Sequence, residues 1–223
     1  MKINLSNKEL FAFYALVAVS VIGLTYFVQS YPISGFDYFM TREIQEQRGW
    51  DITFLMKSIS SFYDPVIGTL SVIMAALFFF LNHHRREAWF TLAVVFPDLC
   101  NLLFKILIHR ARPTSADVKV LAIFTQASFP SGHVVHYVVF FGFLIAVMIA
   151  NKYISTFWRF FIGTISAFLI LTVSVSRIYL GAHWATDVLG GYLFGSIYLG
   201  IMLKFYLSGG GLKNPELLGQ KAQ

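Results

Sequence analysis

Six stretches of this chain are too apolar to be left in water. Leu10 to Phe36 contains no Asp, Glu, Lys or Arg, and neither does Pro65 to His84. Ala88 to Leu107 is interrupted only by Asp98 and Lys105. Val120 to Asn151, Phe160 to Ser176 and Val188 to Leu203 are again uncharged. A helix crossing a bilayer needs about 20 mostly apolar residues, and it satisfies its own backbone N–H and C=O groups. The sequence therefore predicts six spans near 10–29, 62–82, 88–108, 133–150, 157–176 and 187–206. The expected fold class is all-α, a six-transmembrane-helix bundle. The chain is 57% hydrophobic and 13% charged, which excludes a soluble globule and a disordered chain. The first span outruns the roughly 7–15-residue core of a signal peptide and reads as an uncleaved anchor.

Six crossings put both termini on one side. Lys2, Lys8, Arg85, Arg86, Lys152, Arg159, Lys204, Lys213 and Lys221 fall there, opposed only by Glu9, Glu87 and Glu216. The positive-inside rule makes that side cytoplasmic. A net charge of +6 in a soluble protein would suggest a nucleic-acid partner. In this apolar chain the cations serve topology or an anionic substrate, and no nucleic acid is expected. Residues 1–206 read as a single integral-membrane domain, and 207–223 as a flexible cytoplasmic tail. Between the first two spans, Phe36, Phe39, Met40 and Ile44 recur at helical spacing with Asp37, Arg42 and Glu43 among them. That pattern predicts an amphipathic helix lying at the interface.

Three polar segments fall on the opposite, extracytoplasmic side. The first carries Lys105, Arg110 and Arg112 within eight residues, an expensive concentration of charge beside a bilayer. The second, Pro130-Ser131-Gly132-His133, opens the fourth span. Serine is a natural N-cap, glycine lets a backbone N–H approach a ligand, and a helix N-terminus favours an anion. The third runs from Ser176-Arg177 to His183 and Asp187. His183 and Asp187 are four apart and share a helix face. An aspartate accepting from one imidazole nitrogen leaves the other free to act as a nucleophile. Together the segments make a phosphate-like anion site without the carboxylate or cysteine cluster that a metal would need. No metal and no cofactor is expected. Asp98 is expected in a structural hydrogen bond or ion pair, and His136 as a polar residue lining the cavity. Gly191 and Gly195 form a small-residue face for close helix packing. Trp50, Trp158 and Trp184 suit interfacial belts.

These residues resemble the signature of the type 2 phosphatidic acid phosphatases, the membrane lipid phosphate phosphatases. That signature is K-x6-R-P, then P-S-G-H, then S-R-x5-H-x3-D. Here it reads Lys105, Arg112, Pro113; Pro130, Ser131, Gly132, His133; and Ser176, Arg177, His183, Asp187. The resemblance implies metal-independent hydrolysis of a lipid phosphate through a phosphohistidine, at the extracytoplasmic ends of the helices. It makes His183 the nucleophile, Asp187 its orienting carboxylate and His133 the acid and base. Lys105, Arg112, Ser131, Gly132 and Arg177 would bind phosphate, with Arg110 and Ser176 in secondary positions. The bilayer supplies the substrate. Compact six-span members suggest undecaprenyl diphosphate or phosphatidylglycerophosphate. A lipid phosphotransferase using the same site is the alternative. A six-helix anion transporter is a weaker one, because inverted repeats and helices broken at the midplane are missing.

Overall fold

A computed structural model describes residues 7–47, 49–122, 125–152 and 154–208. The expected cytoplasmic tail lies almost wholly outside the described residues. The described residues are helical, with irregular connections. The helices are α1 (Asn7–Ser30), α2 (Gly35–Glu46), α3 (Trp50–Ser60), α4 (Pro65–Leu81), α5 (Arg85–Leu92), α6 (Val95–Ile108), α7 (Gly132–Ala150), α8 (Thr156–Tyr179) and α9 (Ala185–Ser208). A single 3₁₀ turn, Ser61–Tyr63, joins α3 to α4.

Five helical segments are long and apolar enough to cross a membrane: Ala12–Ser30, Arg85–Ile108, Gly132–Ala150, Thr156–Tyr179 and Ala185–Ser208. A sixth arises if Trp50–Tyr63 and Val66–Leu81, bent by 56°, count as one span. The second predicted span, 62–82, thus corresponds to α4 plus a bent lead-in. The third, expected as one helix over 88–108, divides into α5 and α6. Pro97 is the physical cause. It has no N–H to donate to the carbonyl of Ala93, and its ring crowds that carbonyl. Phe96 N–H takes Ala93 O instead, at 3.0 Å.

α7 is the axis of the bundle. Two thirds of its span is buried (67%), against 11% for α1 at the periphery. It packs on α6, α8 and α9. Its contact with α9 depends on the small residues expected there. A Cβ on Gly191 would stand 2.7 Å from Val134 Cβ, and one on Gly195 would stand 2.8 Å from Val138 Cβ. Removing the side chains lets the backbones approach and sets the spacing of the segments at the top of the two helices.

One expectation is refined and one is corrected. α2 forms where amphipathicity predicted it, but its polar side faces inward. Asp37, Thr41 and Gln45 are buried, while Phe36 and Phe39 are half exposed or more. In a membrane setting the apolar face can look outward, so the polar face is left to bond to the protein. Trp184, expected in an interfacial belt, is fully buried and donates its indole N–H to Ala111 O at 3.3 Å. Trp50 and Trp158 are exposed.

Candidate active site

The motif segments meet at one end of the bundle, where α6 and α8 finish and α7 and α9 begin. Ser131 N–H donates to Asp187 O at 3.0 Å and ties the start of α7 to the start of α9. Arg86 and Arg159 bond to Phe205 O and Met148 O at the other end.

The Asp187 carboxylate is fixed by three strong hydrogen bonds. Its Oδ2 accepts from Trp184 N–H at 2.8 Å and from Ser128 Oγ at 2.5 Å. Its Oδ1 accepts from Arg110 Nη1 at 2.5 Å. His183 Nδ1 lies 3.6 Å from Oδ2, too long for a hydrogen bond. Ser128 Oγ stands 3.5 Å from the same nitrogen. The opposite nitrogen, Nε2, meets Arg112 Nη1 at 3.3 Å. The imidazole is thus held with one edge toward the carboxylate and the other toward the cations. Burial is the main reason its pKa falls well below the ordinary value, and the charges of Arg112, Lys105 and Arg177 add to it. His183 is therefore neutral at physiological pH.

The cations are aimed by backbone carbonyls. Lys105 Nζ donates to Ala127 O at 2.6 Å and to Ser128 O at 3.4 Å. Arg112 donates to Gln126 O and to Ala182 O, both at 2.6 Å. Burial lowers the Arg112 guanidinium to about 10, and it stays charged at neutral pH. The turn carrying Ala182 is tight. Gly181 has φ +62°, and a Cβ there would strike Lys119 O, so only glycine fits.

A cavity of about 660 Å³ collects these groups. Lys105, Arg112, Gly132, His133, His136 and His183 line it. Ser131, Arg177 and Asp187 sit behind that lining. Ser131 Oγ is buried and makes no hydrogen bond among the described residues. Arg177 Nη1 donates to Ser60 Oγ at 3.1 Å. His133 packs edge-on against Tyr63, with ring centroids 4.7 Å apart.

The two secondary residues have structural partners. Arg110, a candidate phosphate contact in the sequence, is clamped between carboxylates. Nη2 donates to Asp37 Oδ2 at 2.8 Å, Nη1 to Asp187 Oδ1 and Thr186 Oγ1, and Nε to Pro32 O at 2.9 Å. Ser176 Oγ donates to Met56 O and meets Ser60 Oγ, each at 2.6 Å.

Sequence reasoning missed three participants. Asp37 is wholly buried and also accepts from Thr186 N–H at 2.9 Å. Its one local signal is the capping box it forms with Ser34, which marks a helix start and nothing more. Thr186 and Ser128 carry no spacing signal. The Asp98–His136 pair was half visible. Asp98 does pair with a neighbour, and that neighbour is His136, at 2.9 Å from Oδ2 to Nδ1. Among the described residues no three His, Cys, Asp or Glu side chains are grouped to hold a metal ion.

Comparison with known proteins bears on this constellation. The PAP2 superfamily profile matches residues 86–208. Phosphatidylglycerophosphatase B of Bacillus subtilis is 30% identical over 154 residues, covering 67% of this chain and 68% of that protein. An undecaprenyl-diphosphatase of Sulfolobus acidocaldarius is 39% identical over 72 residues, 32% of this chain and 30% of that one. The crystal structure of a transmembrane PAP2-type phosphatidylglycerolphosphate phosphatase from B. subtilis superimposes with a TM-score of 0.73. It covers 86% of this chain and 94% of the other at 22% identity, which is a likeness of fold.

Proposed function

This chain belongs to the PAP2 superfamily, and we propose that it hydrolyses a phosphate ester or diphosphate on a membrane lipid through a phosphohistidine, without a metal. That it is a phosphatase follows from its relatives. The observation that carries the finer reading is the grading of the cavity. Lys105, Arg112, His133 and His183 line it together with Val72, Ile73, Leu92 and Val95. Val95 and Lys105 lie on one helix, so the apolar wall is about 15 Å further along α6 than the cation. A lipid can place its phosphate among the cations while its tail stays in hydrocarbon, which avoids about 0.8 kcal/mol per CH₂ of transfer cost.

His183 Nε2 attacks phosphorus as the neutral imidazole. The bond to the lipid oxygen breaks, and His133 gives that oxygen a proton. His133 then takes a proton from water, which attacks the phosphohistidine and releases phosphate. Asp187 steadies the imidazolium charge that develops, and its 3.6 Å contact tightens, as contacts in unliganded sites do on reaching the transition state. Lys105, Arg112 and Arg177, with the Gly132 N–H and Ser131, balance the charge on the phosphoryl oxygens. Each well-aimed donor supplies about 2.7–4 kcal/mol. The name of the B. subtilis relative supports phosphatidylglycerophosphate as substrate, and that of the S. acidocaldarius relative supports undecaprenyl diphosphate.

The distribution of Lys and Arg supports cytoplasmic termini and a site on the extracytoplasmic face of one membrane domain over residues 1–206. In a Cys100→Ser background, a cysteine at Ala116 should then label from outside, and cysteines at Arg85 or Lys152 should not. For the chemistry, purified protein with a ³²P-labelled lipid phosphate and an alkaline quench-flow step should yield a transient phosphoprotein, stable to alkali and lost on acid treatment. Hydrolysis that persists without such a species, or that stops in EDTA and returns with magnesium, would overturn the reading.

A further inference from the structure

The mechanism leaves one buried ionisable pair in the cavity without a task. Asp98 Oδ2 and His136 Nδ1 are 2.9 Å apart, on α6 and α7, and both residues line the cavity. His136 is 4% exposed, and its Nε2 makes no hydrogen bond among the described residues. Asp98 Oδ1 is buried and makes none among them either. A carboxylate and an imidazole inside an apolar bundle are costly, and a purely structural pair would not leave two polar atoms unsatisfied.

Their position gives the pair a use. Asp98 lies seven residues before Lys105 on α6, two turns or about 10 Å from the cradle. Val95 lies a further turn away. On α7, His136 is one turn beyond His133, and the Tyr63 ring touches both, with centroids 4.7 Å and 4.8 Å away. The pair therefore stands between the phosphate end and the apolar wall. A substrate that spans the two must lay its leaving group across it.

The chemistry of the pair selects that group. In the tautomer that gives Nδ1–H to Asp98, His136 offers Nε2 as an acceptor, and Asp98 Oδ1 is a second acceptor. Two acceptors, one of them anionic, fit hydroxyl donors and repel another phosphate. Resting on the lipid phosphatase reading above, we propose that Asp98 and His136 form a leaving-group subsite that binds a free hydroxyl next to the scissile phosphate, as on a glycerol phosphate unit.

The test uses two single-chain lipids that differ by one group: a 1-acyl-glycerol 3-phosphate and its 2-deoxy analogue. Purified full-length protein is assayed in mixed micelles at constant surface fraction. The wild type should favour the hydroxyl-bearing lipid in kcat/KM by about tenfold or more, the scale of one well-made hydrogen bond to a charged group. Asp98→Asn and His136→Phe should bring the ratio toward one. The same Asp98→Asn change should raise kcat/KM for a polyprenyl diphosphate several-fold. Equal wild-type efficiencies on the two lipids overturn the subsite alone, and no folded variant is needed to read that ratio. So does an unchanged ratio in folded variants. A wild type that prefers the diphosphate and loses that preference in His136→Phe would show a cationic imidazole serving an anion, and would also overturn it. Failure to release phosphate from any lipid would overturn the parent reading, and the subsite with it.

Discussion

His183 and His136 are both buried imidazoles beside a carboxylate, and the protein treats them in opposite ways. Around His183, the partner Asp187 is fixed by a backbone N–H, the Ser128 hydroxyl and the Arg110 guanidinium. Around His136, the contact to Asp98 is the one polar bond found among the described residues, the rest being ring packing, and each partner keeps a polar atom unbonded there. The strong bonds around His183 thus fall on its carboxylate partner, and fixing that carboxylate from three sides fixes the surface the imidazole packs against. A group that meets a variable part of a substrate keeps its bonding capacity in hand.

Changes at the over-determined pair should have the largest effects. His183→Ala should lower kcat by about 10⁴-fold or more, the scale for losing a nucleophile or its orienting carboxylate. It should abolish the phosphoprotein while leaving the melting temperature close to wild type, because the imidazole is held by contact more than by strong bonds. Retained labelling would break the contrast between the two histidines at once.

Next in size is Arg110. With side-chain exposure of 2% against 0% for both carboxylates, Arg110→Ala strands two buried charges. The expected loss is about 3–5 kcal/mol of stability, read by thermal unfolding in detergent. Arg110→Lys should not rescue it, since an ammonium cannot reach both carboxylates in a planar fork. A variant that instead stayed fully stable and only lost phosphate affinity would return Arg110 to the substrate site.

The smallest effect concerns protons. The folded pKa of His183 lies below its ordinary value of about 6.5, so on acidification the unfolded chain takes up the proton first. Stability from this residue is intact above about pH 6.5 and drains away below it. Between pH 7.5 and 5.5 the wild type should lose about 1 kcal/mol more than His183→Gln. Parallel losses would mean that burial does not hold the imidazole neutral.

Much of this was legible in the sequence because of what each part must do. The spans were readable since lipid demands long apolar runs, and the residues that meet at the candidate site since their types and spacing match one family's signature. Asp37 was not. Its periodicity located α2, but whether the polar face turns to water or to protein depends on Arg110, 73 positions away, whose own pairing no local pattern announces. Ser128 was hidden for a similar reason. A lone hydroxyl acquires meaning only when Asp187 arrives 59 positions later. The break at Ala93 could have been read from Pro97, whose missing N–H removes a helix bond wherever it falls inside a span.

The Arg110 clamp also orders the making of the protein. A ribosome delivers Asp37 first, Arg110 next and Asp187 last, with 77 positions between the final two. Until α9 emerges, the guanidinium has at most one of its two carboxylates, Asp37. The residue that closes the clamp is also the carboxylate beside His183, so a chain that has not yet delivered Asp187 lacks the guanidinium's second partner and the imidazole's acidic neighbour at once.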